Sequence, residues 1–244
     1  MYDIVYISHT EKTANAGFIR LTSMNLRNKI FRVHGVDGIH QAHIEAAKLA
    51  TTNMFYVVDA DANIVPGFRF NLKLDPSEED IVHVWRSRNP VNNLEYGYGG
   101  VKLLPRELTL NMDVTRPDMT TSISKRFKIM PEVSNITKFN TDPLSTWRSA
   151  FRECAKLASR VIDGQFDQET EDRLKTWRYN LSNQLYAEYA RGGASAGEWF
   201  GKTYKNDPAM LSKINNYDWL AAEYEQHIKM FPPDTFRPKD SVKS

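Results

Sequence analysis

Over roughly the first 140 residues, short apolar runs alternate with stretches of helical or loop character, whereas roughly the last 105 carry helical spacing and almost no strand pattern. Ile4-Val5-Tyr6-Ile7 opens the chain as a compact apolar run that ends in Ser8-His9-Thr10, the pattern of a buried strand delivering a polar loop to a sheet edge. Lys29-Ile30-Phe31-Arg32-Val33 reads as a second strand. Ile39, Ala42, His43, Ala46, Ala47 and Ala50 then recur three and four apart, which makes one face of a helix, with Asp37 ahead of Gly38 as its expected N-cap. Met54-Phe55-Tyr56-Val57-Val58 is apolar without alternation, as suits a central strand covered on both faces, and it runs straight into Asp59-Ala60-Asp61. Ile81 to Trp85 predicts another strand. Gly97-Tyr98-Gly99-Gly100 predicts a loop that leads into the short strand Val101-Lys102-Leu103-Leu104, closed by Pro105. Helical spacing covers 143–162, 168–189 and 209–229, with Pro143 in the first turn of its helix. The small-residue run from Gly192 to Gly197 reads as a break between helices, either a close packing contact or a loop. The expected fold class is therefore α/β, a Rossmann-like mixed sheet flanked by helices with right-handed crossovers over 1–138, followed by a mainly helical extension over 139–244.

Composition narrows the class. In 244 residues, 41% are hydrophobic and 11% aromatic, a balance that excludes a disordered tail or a fibre and allows a sizeable core. Lys and Arg number 32 against 30 Asp and Glu, so bulk charge attracts neither nucleic acid nor membrane, and polyanion binding is left to a local patch. The basic tail at 237–244 reads as a solvated end. The lone Cys154 can form no intrachain disulfide and no cysteine zinc site, which fits a reducing compartment. No basic leader with a long apolar region opens the chain, and no run approaches the roughly 20 apolar residues of a membrane span, so a cytoplasmic protein without a membrane partner is expected. Neither a phosphate-loop pattern nor G-x-G-x-x-G after a strand is present, which removes the main support for kinase and dinucleotide-oxidoreductase readings.

The chemistry concentrates where the apolar strand ends. Side chains alternate along an extended chain, so Asp59 and Asp61 are expected on one side of it, able to converge on one ligand. Hard cations such as Mg²⁺ or Mn²⁺ bridge one or two carboxylates to substrate phosphates, and ligands of open α/β sheets lie beyond the carboxyl ends of the strands. A polar turn after the strand is the other reading of Asp-Ala-Asp. Gly99 and Gly100 permit close backbone approach to a ligand, or a tight turn. Asp142 precedes Pro143, which suits either a carboxylate base or a helix cap. Arg148 and Arg152, four apart, share a helix face that could grip a diphosphate or stay solvated. Trp147, Phe151 and Cys154 lie on a neighbouring stripe and read as core. Trp177, Tyr186, Tyr189, Trp199 and Trp219 read mostly as core, with an acceptor platform as the other possibility.

The segment Gly38-Ile39-His40-Gln41-Ala42-His43-Ile44-Glu45-Ala46-Ala47-Lys48-Leu49-Ala50, continuing through Thr51-Thr52-Asn53 and Met54-Phe55-Tyr56-Val57-Val58 to Asp59-Ala60-Asp61, resembles the central segment of GT-A glycosyltransferases, above all those like family 2. Pro66-Gly67-Phe68 also suits that family. The resemblance covers roughly residues 1–105. It implies a GT-A-like fold and a metal-dependent transfer of a sugar from a nucleotide-diphosphate donor, with a UDP-sugar expected, to an acceptor hydroxyl. Asp61 would be the main ligand of Mn²⁺ or Mg²⁺, Asp59 would hold the ribose or share the metal, and His83 would complete the metal shell, unless it is a buried structural histidine. Ser8, His9 and Thr10 would lie beside the nucleotide base, Asp37 would approach the nucleoside, and Gly99 and Gly100 would shape the sugar pocket. Asp142 would be the base, and Arg148 would bind the donor diphosphate. The acidic cluster that often follows the second strand in family 2 is reduced here to Asp37-Gly38, and Thr141-Asp142 stands where the family usually has Glu-Asp. The segment 138–154 is similar to glycosyltransferase-like proteins of large tailed phages, several of which decorate hydroxymethylated pyrimidines, and this implies DNA as an acceptor beside a protein or small molecule.

Two rivals remain. A sugar nucleotidyltransferase shares the sheet and the acidic metal ligands but needs a glycine-rich basic loop after the first strand, which is missing. A non-enzymatic binding or virion-associated protein would keep the fold and use Asp-Ala-Asp only as a turn.

Overall fold

A computed structural model describes residues 1–24, 26–116, 118–161, 165–180 and 183–233. The tail at 237–244 and Ile162, the last residue of one expected helix, lie outside them. The chain divides into two compact units, Met1–Lys138 and Phe139–Ser244.

The first unit is α/β. In chain order it contains β1 (Asp3–Ser8), α1 (Ala14–Thr22), β2 (Ile30–His34), α2 (Ile39–Leu49), β3 (Met54–Asp59), β4 (Ala62–Ile64), β5 (Val82–Arg88), β6 (Glu95–Pro105), α3 (Arg106–Leu110), α4 (Met119–Ile123) and β7 (Phe127–Thr137). The strands form one mixed sheet in the order β2-β1-β3-β6-β5-β7-β4. β1 runs parallel to β2 and β3, and β5 runs parallel to β7. The pairings of β6 with β3 and β5, and of β4 with β7, are antiparallel.

β3 lies inside the sheet, between β1 and β6, because its sequence leaves no polar face. Met54 to Val58 are all at most 1% exposed. Tyr56 faces the α1 side and packs on Phe70 and Trp85, with ring centroids 5.2 and 5.5 Å away. Phe55 and Val57 face the other side, against Ala46, Ala47 and Ala50. Small alanines let α2 lie close on the sheet, and each large side chain so buried is worth about 1.5–3 kcal/mol. Asp37 does not cap α2. The N-cap is Gly38 at φ +85°, with no side-chain cap bond, because the chain enters the helix through a conformation that suits glycine. The Gly97–Gly100 segment likewise lies inside β6 rather than in a loop before it. Gly99 takes φ +81° where the register with β5 shifts between Val84 and Arg86, so the glycines make a bulge in a continuous strand.

The second unit, as described, is helical, with α5 (Pro143–Ser159), α6 (Asp167–Tyr179), α7 (Ala187–Thr203), α8 (Pro208–Ser212) and α9 (Tyr217–Met230). The run from Gly192 to Gly197 is not a break between helices but the middle of α7. A Cβ added at Gly193, Gly197 or Gly201 would sit 2.2, 2.2 or 2.4 Å from the carbonyl oxygens of Trp147, Phe151 and Ala155 on α5. Three glycines four apart therefore let two helices meet backbone to backbone, a contact any side chain would prevent. Trp147, Phe151 and Cys154 are core, as their stripe implies. Trp177 is also fully buried, whereas Trp199 is 63% exposed.

Candidate functional site

The carboxyl ends of β1, β2 and β3 lie side by side, with Ser8 opposite His34 and Ile7 opposite Asp59. Ser8 closes β1 and is buried. Its hydroxyl meets the Val33 carbonyl at 3.4 Å and His34 Nδ1 at 3.0 Å, and it accepts from Arg32 Nε at 3.1 Å. Those partners tie Ser8 to β2 and leave it little to offer a base. His9 and Asp37 are brought together, Nε2 to Oδ1 at 2.9 Å, on an exposed rim where Asp37 is 97% accessible. Thr10 is exposed beside them.

Asp59 and Asp61 do not share a side of the chain. β3 ends at Asp59, and Ala60-Asp61 form the turn into β4, so strand alternation does not extend to Asp61. Asp59 turns to the α2 side and meets Lys102 of β6, whose Nζ donates to Oδ1 at 2.9 Å and Oδ2 at 2.8 Å. The same ammonium donates to the carbonyl of Gly99. Lys102 is 2% exposed and Asp59 34%. Asp61 instead borders a cleft on the α1 side, lined also by Tyr6, Arg20, Asn63 and Lys138. Burial is the first cause that pushes the Asp61 carboxyl up, to about 7, and the charges of Asp59 and Glu11 add to it while Lys102 opposes them. Glu11, whose carboxylate accepts from the His9 amide at 2.7 Å, is a third acid near the strand ends. The Asp61 carbonyl is fixed by the Lys138 amide at 2.6 Å, which ties the turn to the end of β7. In the same cleft, burial and then Glu11 raise the Tyr6 hydroxyl to about 12, and that hydroxyl donates to the Ala14 carbonyl at 3.0 Å.

Gly99 and Gly100 stand across from the end of β3. A Cβ on Gly100 would lie 2.7 Å from Asn135 Nδ2. Asn135 belongs to a buried polar network: its Oδ1 accepts from Ser87 and Ser134, both at 2.8 Å, and its Nδ2 donates to Thr137 at 3.3 Å. A fully satisfied network of this kind stiffens the backbone above it.

Three expected site residues lie elsewhere. His83 pairs in register with Leu103, itself opposite Tyr56, so it lies level with the middle of β3, well short of the turn that carries Asp61. It is completely buried, and burial lowers its pKa against the pull of Glu78, its acidic neighbour. Asp142 caps α5, accepting from the Ser145 amide and hydroxyl at 2.8 Å each and from Thr141 at 3.3 Å. Burial raises its carboxyl, but those bonds and Arg148 outweigh it and hold the group below the usual range, the wrong direction for a base. Arg148 stacks on Tyr217 at 4.1 Å, and Arg152 donates to the Ile214 carbonyl and Asn215 at 2.8 and 3.0 Å, so this arginine pair is built into the helical unit.

Among the described residues, no three His, Cys, Asp or Glu side chains converge as metal ligands. The donors still fit a divalent cation of the kind that takes one protein carboxylate and completes its shell with phosphates and water, because Asp61 is crowded by acids and, among the described residues, forms no salt bridge. Asp59 does not fit as a second ligand, being neutralised by Lys102.

The fold and site together define an α/β sheet unit with an acidic turn at the carboxyl end of its interior strand β3. No protein-family model matches the chain, and no curated protein sequence matches it. Among solved structures, HddC from Yersinia pseudotuberculosis is similar over 57% of this chain and 91% of its own, at 12% identity and a TM-score of 0.33, a likeness too slight to carry an argument. Among the described residues, no helix is long and apolar enough to cross a membrane.

Proposed function

We propose that the chain is a GT-A-like glycosyltransferase that moves a sugar from a nucleoside-diphosphate donor to an acceptor hydroxyl. The observation that carries this reading is Asp61, a carboxylate crowded by Asp59 and Glu11 at the carboxyl end of β3 and bordering a cleft that Arg20 and Lys138 also line. A carboxylate kept where its own charge is disfavoured is costly to the fold, and such groups mark functional sites. Asp61 would hold a divalent cation together with the donor diphosphate. That cation supplies neutralisation of the diphosphate as it leaves. Arg20 and Lys138 add positive charge for the phosphates. Asp59, one-third exposed beside Lys102, would lie next to the ribose or sugar. The His9–Asp37 rim lies at the β1 and β2 ends, where the nucleoside would rest. With Asp142 committed to its helix, it is not assigned as the base. A UDP-sugar is the donor we favour, and DNA carrying hydroxymethylated pyrimidine is the acceptor to try first.

The test is thermal melting with UDP, GDP, CDP or ADP, each with Mn²⁺ or a chelator, on the unaltered chain and on Asp61→Ala. A ligand that binds only the folded state raises Tm by mass action. UDP with Mn²⁺ should stabilise the unaltered chain and leave Asp61→Ala unmoved. If no nucleotide shifts either protein under any metal condition, the transferase reading falls and a binding protein that uses the acidic turn only structurally takes its place.

A further inference from the structure

We propose that the helical unit carries a binding face for single-stranded nucleic acid, on which Trp199 and Tyr217 take unpaired bases and Arg148, Lys205 and Lys213 take phosphates. This goes beyond the transferase reading and does not depend on it.

The near-zero bulk charge leaves polyanion binding to a local patch, and one lies where the last turn of α7 meets the first turn of α9. Its rings form a connected file. Trp199 meets Tyr204 edge to face at 6.3 Å, Tyr204 lies 4.9 Å from Phe200, and Phe200 lies 5.3 Å from Trp219. Phe200 is core, but Trp199 is 63% exposed and Tyr217, two residues before Trp219, is 47% exposed. Large rings left in solvent as a group mark an interaction surface. Cations lie over these rings. Arg148 stands over Tyr217 at 4.1 Å and Arg152 over the same ring at 5.5 Å, while the Lys213 ammonium is 5.9 Å from the centre of Trp219. Arg152 spends its N–H groups on the Ile214 carbonyl and Asn215, which fixes the turn Lys213–Asn215. Arg148 keeps its own: among the described residues it donates to no acceptor and forms no salt bridge, and neither do Lys205 and Lys213. A guanidinium in that condition presents a planar fork that matches phosphate. Neighbouring acids are engaged, Glu198 by Arg178 and Lys202, Asp142 by Ser145 and Thr141, and Asp207 as the cap of α8. Asp218, next to Tyr217, is exposed and opposes part of the positive charge. An uncharged sugar would leave the cations without a use, and an acidic peptide would leave the rings without one. Exposed rings interleaved with unspent cations match a chain that alternates flat bases with phosphates, and only unpaired bases have faces free to stack on them.

The experiment is fluorescence anisotropy of labelled oligothymidylate and oligouridylate of about 12 nucleotides, and of a DNA duplex of the same length, titrated with the full-length chain over a range of salt. At least one of the single strands should bind, more tightly than the duplex. Trp199→Ala, which removes an exposed side chain and so spares the fold, should lose about tenfold in affinity, and Trp199→Phe should recover most of it. Arg148→Gln should lower the salt slope by about 0.7, the loss of one phosphate contact on a single strand. Lys213→Gln, at an exposed position, should do the same and replaces it should the Arg148 variant not fold. The thymidylate and uridylate arms tell DNA from RNA, and binding of either supports the proposal. No binding of either would overturn it, as would a duplex bound equally well, affinity unmoved by Trp199→Ala, or a salt slope unmoved by the cation variants. A dimer that Trp199→Ala separates in sedimentation would make the face a contact between copies and overturn it too. Nucleotide-driven melting plays no part in these measurements, so the transferase reading and this one fail separately.

Discussion

Asp61 ties function to stability through its proton. With its folded pKa raised from 3.8 to about 7, the folded state holds a proton across that interval that the unfolded state has given up. The stability this group contributes is present below about pH 4 and is lost as pH rises through about 7. Asp61→Asn should therefore change stability little at pH 4 and add about 1–2 kcal/mol at pH 8, a figure reduced for partial exposure and measurable by denaturant titration at the two pH values. An equal gain at both would show that the acid is not strained. Lys102 has the opposite sign. Removing it leaves Asp59 without its cation, so Lys102→Met should cost about 2–4 kcal/mol, and adding Asp59→Asn should restore most of that loss. Both acids were legible in the sequence as Asp-x-Asp after an apolar strand. Their opposed orientation was not, since the pattern does not show that the strand ends at Asp59 and a turn begins. Lys102 was read only as part of a short strand, although one lysine among Val101, Leu103 and Leu104 signals a buried partner.

Among elements, those with dense apolar runs or an alanine face were readable and those interrupted by proline or glycine were not. β1 and β3 follow from unbroken apolar runs, β2 from a mostly apolar one and α2 from its alanine face. β7 escaped because Pro131 and Glu132 interrupt it, and they fall where its register with β5 shifts, between the partners of Trp85 and Arg86. α1 escaped because Gly17 lies in it and no side chain caps it. That glycine is needed, since a Cβ there would stand 2.3 Å from the Tyr6 hydroxyl. For the glycines of α7 the close packing contact holds, while the break between helices does not, for a related reason. Glycine usually ends helices, and only the partner helix shows why these three do not. Gly197→Ala should cost about 3 kcal/mol, because its Cβ would meet the Phe151 backbone rather than a yielding side chain. A melting temperature within a degree of the unaltered chain would refute that contact.

For the molecule as a whole, each unit has its own core, so the predicted losses should be local. Hydrogen exchange in Gly197→Ala should quicken within 139–244, and in Lys102→Met within 1–138. The first unit also has an acid limit. His43 is held neutral by burial and then by Lys102, its pKa lying well below 6.5, so on unfolding it takes up a proton that the folded state refuses. Its contribution is present above pH 6.5 and fades as pH falls below that value, and His43→Gln should flatten the stability profile between pH 6.5 and 5. An unchanged slope would place the acid limit elsewhere. The bond from the Lys138 amide to the Asp61 carbonyl has a use of its own. Lys138 is the last residue of the first unit, and its N–H rests on the turn that carries the acid. Whatever ligand steadies that turn will slow the exchange of this one amide, which gives the chain a built-in gauge of occupancy, readable without a substrate, a product or an assay.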